Sequence, residues 1–151
     1  MKKLIVIALV VCLIPVAVFA EDAALMMRKF NLFAKMYGGQ QIDESTITED
    51  TENRVVFSAE NATIAFSTTS DKFNSALVVS ADEAEFLPYC LCAAMSIDLS
   101  FNDDALQSFG NLLYCYLTVR SGKESEFGTF GGFLFNIKKD GDSYRFLIGE
   151  K

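Results

Sequence analysis

Residues 133–148 read FLFNIKKDGDSYRFLI, and the class of fold follows most directly from this stretch. Apolar residues recur at every second position on both sides of Asp140-Gly141, as in two strands that each bury one face. Asp-Gly tolerates positive φ, so the chain can reverse there in a tight turn. The stretch predicts a C-terminal β-hairpin whose inward residues are Phe133, Phe135, Ile137, Tyr144, Phe146 and Ile148.

Three short β-rich runs lie upstream, at residues 54–59, 62–68 and 75–80. Only short polar segments separate them, so they predict an antiparallel meander with one buried face and one face that is at least partly wet. Residues 40–53 are polar and acidic, which predicts a loop or a weak edge strand. Helices should therefore cover only one side of the sheet.

Two helices are predicted by local signals near the N-terminus and after the meander. Between residues 23 and 37, apolar side chains recur at i, i+4, i+7 and i+11, which is one face of a helix. Ser80 to Glu83 fits a capping box, so a second helix should begin near Ala81. Pro88 should kink or restart it, because proline removes one backbone donor.

A third helix is predicted from after Asn102 to about Arg120. It carries two apolar faces, so we expect it to be enclosed on two sides. Leu106, Phe109, Leu113 and Leu117 form the first face, and Leu112, Cys115 and Val119 form the second.

The order of elements predicts one α+β domain over residues 21–151, with a mainly antiparallel sheet of five to six strands. An N-terminal helix precedes a three- to four-strand meander, two helices follow, and the hairpin ends the chain. The helices are expected to pack on one face of the sheet.

Residues 1–20 have the pattern of a secretory signal peptide. Lys2 and Lys3 precede an apolar run over residues 4–14, Pro15 breaks the run, and Val18-Phe19-Ala20 supplies a cleavage site. We therefore expect an exported protein, periplasmic or extracellular, with no membrane insertion after cleavage.

Composition restricts the chemistry that the chain can perform. Removing the signal peptide leaves 11 Lys and Arg against 20 Asp and Glu, which argues against binding to a phosphate backbone, so no nucleic-acid partner is expected. Histidine is absent, which excludes His-dependent triads and His metal ligands. No cofactor and no metal site are expected.

Three cysteines, Cys90, Cys92 and Cys115, remain once the segment with Cys12 is removed, and an odd number cannot all pair within one chain. If the second and third helices formed an antiparallel hairpin, Cys90 and Cys115 would be offset by about 7 Å along the helix axis. That offset is at the limit for a disulfide. A Cys90–Cys115 bridge and buried unpaired thiols both remain open.

Phe127, Phe130 and Phe133 interleave with glycines at positions 128, 131 and 132. Glycines at a strand entry usually indicate a bulge or close backbone packing. An aromatic-lined mouth for an apolar ligand is the alternative interpretation.

These features favour an exported non-catalytic module that binds a protein or cell-envelope partner. A small apolar-ligand carrier with a Phe-lined pocket is the alternative, and a hydrolase that uses paired carboxylates is a third hypothesis. A flat exposed patch would favour the module, a deep cavity the carrier, and two close carboxylates in a cleft the hydrolase.

Mass spectrometry of the exported protein should find Glu21 at the N-terminus, because signal peptidase should cleave after Ala20. The alternatives are an uncleaved membrane anchor and a lipoprotein. An intact Met1 in the membrane fraction, or a lipid on Cys12, would contradict cleavage after Ala20.

Overall fold

The computed structural model describes residues 23–69, 72–97 and 105–150, and the predicted signal peptide, residues 1–20, lies outside them. Three helices and seven strands are described, together with one short 3₁₀ turn at Glu44–Thr46. In chain order they are α1 (Ala23–Tyr37), β1 (Ile47–Thr51), β2 (Arg54–Ala59), β3 (Ala62–Thr69), β4 (Lys72–Ser80), α2 (Glu83–Ile97), α3 (Ala105–Arg120), β5 (Ser125–Phe130), β6 (Phe133–Asp140) and β7 (Ser143–Glu150).

The seven strands form one antiparallel sheet in the order β1-β2-β3-β4-β7-β6-β5. The predicted α+β class, the meander and the C-terminal hairpin are confirmed, although the sheet has seven strands rather than five to six. The acidic segment Ile47–Thr51 forms edge strand β1, and the glycine-containing segment Ser125–Phe130 forms edge strand β5. No described helix is both long and apolar enough to cross a bilayer.

The core lies between the helices and one face of the sheet, which we call the inner face. Tyr144, Phe146 and Ile148 of β7 are at most 1% exposed. Phe135 on β6 lies 5.5 Å from Phe146 between ring centroids. The predicted inward register of the hairpin is therefore confirmed, and Phe133 at its end is only partly buried.

Helix α1 has the predicted bounds, and its buried face contains Met26, Phe30 and Phe33. Asn31 holds the segment that follows the helix, because its side chain both accepts from the Ile42 N–H at 2.8 Å and donates to the Ile42 carbonyl at 2.6 Å. These two hydrogen bonds hold the segment between α1 and β1 against the helix. Tyr37, the last residue of the predicted apolar face, is exposed.

Helix α2 begins at Glu83, two residues later than predicted, and continues through Pro88 to Ile97. Asp82 caps it, because the Asp82 carboxylate accepts from the Ala84 N–H at 2.9 Å. Ser80 belongs instead to β4, where it pairs with Tyr144 of β7. The prediction of a capping box at Ser80 was wrong because sheet pairing holds that residue.

Helix α3 is enclosed on one side only, which corrects the expectation of two covered faces. Leu112, Cys115 and Val119 are buried against the sheet. Leu106 and Leu117, on the other predicted face, are 83% and 49% exposed. No described element packs over that second face.

Glu83 joins both later helices to the centre of the sheet. Its carboxylate accepts a hydrogen bond from the Tyr144 hydroxyl at 2.8 Å and forms an ion pair with Arg120 at 3.3 Å. Its backbone carbonyl accepts from the Tyr116 hydroxyl at 3.2 Å. One residue thus connects the start of α2, the end of α3 and strand β7.

Replacing Phe146 with alanine should lower the free energy of unfolding by about 3 to 5 kcal/mol, since the change leaves a cavity in the core. Urea unfolding followed by circular dichroism would measure it. Leu147→Ala, one residue along but on the solvent face, should cost less than about 1 kcal/mol. Equal losses for the two variants would mean that the register of β7 is wrong.

Candidate functional site

The structure separates the three phenylalanines predicted to line a ligand mouth. Phe127 is 73% exposed on the face of the sheet opposite the helices, which we call the outer face. Phe130 is buried and Phe133 packs against the core, and the two are paired across β5 and β6. Since side chains alternate along a strand, a spacing of three places Phe127 and Phe130 on opposite faces. The three residues do not form one site.

A row of side chains that are apolar except for Asn136 crosses the outer face instead, and we call it the outer stripe. It occupies neighbouring positions on β2, β3, β4, β7, β6 and β5, where each residue is the register partner of the next. Its members in that order are Val56, Ala65, Leu77, Leu147, Asn136 and Phe127. Val56 and Ala65 are buried, whereas Leu147 and Phe127 are exposed.

An open groove of about 370 Å³ lies over one half of the outer stripe. Leu147 is 53% exposed and lies two residues from Gly149 on β7, and Leu134 is 49% exposed and pairs with Gly149 from β6. Both leucines line the groove together with Phe127. Gly149 pairs with both Ser75 and Leu134. Because glycine has no side chain, the groove is deeper between these two residues. The groove can accept an apolar group laid flat on the sheet.

Two cations lie beside the groove on the same face. Lys138 and Arg145 are register partners on β6 and β7, and Arg145 is two residues from Leu147. Like charges placed opposite each other destabilise a strand pair. Neither cation takes part in an ion pair among the described residues. In a chain with net charge −7, this cationic pair provides a place for an anionic group.

Helix α3 closes the free edge of β5. The Asn111 side chain donates to the Thr129 carbonyl at 3.3 Å, and the Cys115 thiol lies 3.5 Å from the Phe127 carbonyl. Gly128 allows this approach, because an added Cβ would lie 2.4 Å from the Phe135 ring and 3.0 Å from the Cys115 sulfur. The glycine therefore serves close packing, which is one of the roles that the sequence indicated for glycines in this segment.

The three described cysteines are free and buried, so the structure does not join Cys90 to Cys115. Cys115 faces β5 through α3, whereas α2 packs mainly against β4 and α1. Burial raises the pKa of Cys90 well above its ordinary value and raises the pKa of Cys92 to about 12. Burial also raises the pKa of Cys115. Thiols in this state are poor nucleophiles.

A small polar cavity of about 80 Å³ lies between α2 and the β2–β3 turn. Asp82 and Glu85 line it, and Tyr89 donates to the Gln40 side chain at 3.2 Å beside it. One carboxylate oxygen of Glu85 is buried without a hydrogen-bond partner among the described residues. The cavity is below the roughly 300 Å³ of small-molecule sites. The described residues contain no group of three acids or cysteines that could hold a metal ion.

Sequence reasoning did not single out Leu134, Leu147, Lys138 and Arg145. The signal that could have found them is the hairpin pattern itself. Once Phe135 and Phe146 are assigned inward, the intervening positions must face outward. Two of those outward positions carry leucine and two carry a cation, which is unusual for a solvated face.

Thiol labelling of the native protein should be slow, and it should remain slow when the pH is raised to about 9. The three thiols are buried, and their raised pKa values leave little thiolate at that pH. Chemical denaturation without reductant should then expose three reactive thiols per exported chain. Rapid labelling of the folded protein would contradict the burial, and a lower count after unfolding would reveal a disulfide.

Comparison with known proteins identifies no relative, since no family model, no curated protein and no solved structure matches this chain.

Proposed function

We propose that this protein is an exported, non-catalytic module that binds a protein or cell-envelope partner through the outer face of its sheet. The observation that carries the proposal is the exposed groove over the outer stripe, beside Lys138 and Arg145. Exposed contiguous apolar patches on soluble proteins commonly mark interaction sites.

The composition of the surface indicates the chemistry of the partner. Phe127, Leu134 and Leu147 offer aromatic and aliphatic contact area around a floor that lacks a side chain at Gly149. The adjacent cationic pair adds electrostatic selection for a carboxylate or another anion, which increases specificity and the rate of encounter. The partner should therefore present an apolar group close to a negative charge.

Three features support a non-catalytic role. The pKa values of the described thiols are raised, so none of them is activated as a nucleophile. The Glu83 carboxylate is engaged by Tyr144 and Arg120 and has a structural role. The polar cavity with Asp82 and Glu85 is too small for a sugar ring and the water that a hydrolase needs.

A carrier of a small apolar ligand is the second candidate. The groove volume of about 370 Å³ is within the range of ligand sites, which favours it. The groove is open on one side, however, whereas a carrier usually encloses most of its ligand. Native mass spectrometry of the exported protein would separate the two, since a carrier should retain a small apolar molecule.

Site-specific photocrosslinking in the intact host envelope tests the binding surface. A photoreactive residue at position 147 should give a discrete crosslinked product, because that position lies in the centre of the groove. The same residue at position 35 on α1, which is also exposed, is the matched control and should not give that product. Mass spectrometry of the product would identify the partner.

The double variant Lys138→Glu, Arg145→Glu should abolish the crosslink from position 147 while leaving the unfolding free energy within about 1 kcal/mol of the parent, because both side chains are at the surface. A crosslink that survives the charge reversal would contradict a role for the cationic pair. No crosslink from position 147, or equal products from positions 147 and 35, would contradict binding through the outer face.

A further inference from the structure

Helix α3 carries a second exposed apolar surface, separate from the outer stripe, which we call the α3 stripe. Its members follow one face of the helix over about 17 Å. Leu106 is 83% exposed, Tyr114 67%, Leu117 49% and Phe109 38%. Gly110 is also exposed, within the same face. No described part of the chain covers this surface.

The α3 stripe is electrically neutral in an acidic protein. Residues 105–119 contain no charged side chain, although 22% of the whole chain is charged. A solvated helix face usually carries charged residues that keep it in water. Exposed apolar side chains of α1 differ in this respect, since Arg28 and Lys35 are exposed on the same helix. The absence of charge is therefore specific to α3.

The absence of charge on the α3 stripe limits which surfaces can bind to it. Two copies of a chain with net charge −7 repel each other, and a contact surface without charges adds no further repulsion between close like charges. A two-fold contact brings the same patch of both copies together, so the patch must be complementary to itself. An uncharged apolar patch such as the α3 stripe can meet this condition, whereas a two-fold contact centred on Lys138 and Arg145 would place two cationic pairs together.

Gly110 is an independent observation that points to a helix as the covering element. Glycine is the least favourable residue in a helix interior apart from proline, and an added Cβ at Gly110 would have no neighbour within 4 Å. The described part of the chain therefore gives no reason for a glycine at this position. A missing side chain between Phe109 and Tyr114 allows a second helix to cross at a short interaxial distance.

A membrane surface fits the α3 stripe less well. Helices that lie in the membrane interface carry Lys and Arg along their polar face, which bind anionic lipids. Helix α3 has only Arg120, at its end, and that residue is engaged by Glu83. The net negative charge of the chain also opposes approach to anionic lipid.

We propose that the α3 stripe is the contact between two copies of this chain, with the two α3 helices crossing near Gly110 in a symmetric dimer. One helix face is smaller than the roughly 800 Å² per partner of a standard stable interface. The dimer is therefore weak and depends on protein concentration. It leaves the outer face of each copy free for a foreign partner.

Sedimentation equilibrium of the purified protein from about 1 μM to 1 mM tests the dimer. The parent should change from monomer to dimer within this range. Leu117→Gln and Gly110→Gln should each raise the dissociation constant at least about tenfold, which is about 1.4 kcal/mol. Leu134→Gln is the matched control, because Leu134 is also 49% exposed but lies on the outer face, and it should leave the dissociation constant unchanged.

Gly110→Gln also separates association from folding. Glutamine favours a helix more than glycine does, so the variant should unfold at the same or a higher temperature while it dimerises less. A monomeric parent at every concentration would overturn the proposal. So would association that is lost in Leu134→Gln but kept in the α3 variants, or binding of the parent to vesicles containing anionic lipid. Each of these results is independent of crosslinking from position 147.

Discussion

Pairing of β7 with both β4 and β6 is the constraint on which the rest of the molecule depends, because it joins the N-terminal meander to the C-terminal strands in one sheet. Its pleat places Tyr144, Phe146 and Ile148 inward, each at most 1% exposed. The same pleat places Arg145 and Leu147 outward. A slip of one residue would bury Arg145 and expose Phe146, so the core that stabilises the sheet also determines its outer surface.

Two sets of local contacts hold the helices against this sheet. Glu83 links the start of α2 and the end of α3 to Tyr144 on strand β7. At the sheet edge, Gly128 leaves room for both the Phe135 ring and the Cys115 sulfur, so α3 can contact β5 closely. These contacts use one face of α3 fully and leave the opposite face without a partner in the described chain. The uncovered stripe is a consequence of where the helix is anchored.

Much of the fold was readable from the sequence because local signals agreed with tertiary structure. Alternation around Asp140-Gly141 predicted the hairpin, and apolar spacing predicted α1 with its bounds. Predictions failed for two reasons: a non-local contact decided the outcome at Ser80, and the alternation of side chains along a strand was not applied to Phe127 and Phe130. Ser80 fits a capping box, yet pairing with Tyr144 holds it in β4. Phe127 and Phe130 looked like one aromatic cluster, but the strand period puts them on opposite faces. The outer stripe spans six strands, so its neighbours cannot be read without strand order.

Both edge strands of the sheet are protected against pairing with a strand from another chain, and this limits how the protein can associate. Edge strand β1 carries Glu49 and Asp50, whose charges oppose pairing with another strand. On β5, side chains of α3 engage the outward carbonyls of Phe127 and Thr129. Addition of a strand from another chain is therefore disfavoured at each edge. Partners must therefore bind to side chains on one of the two exposed apolar surfaces. The outer face of the sheet carries a cationic pair and can accept an anionic partner, whereas the α3 stripe has no charge and can contact a neutral surface.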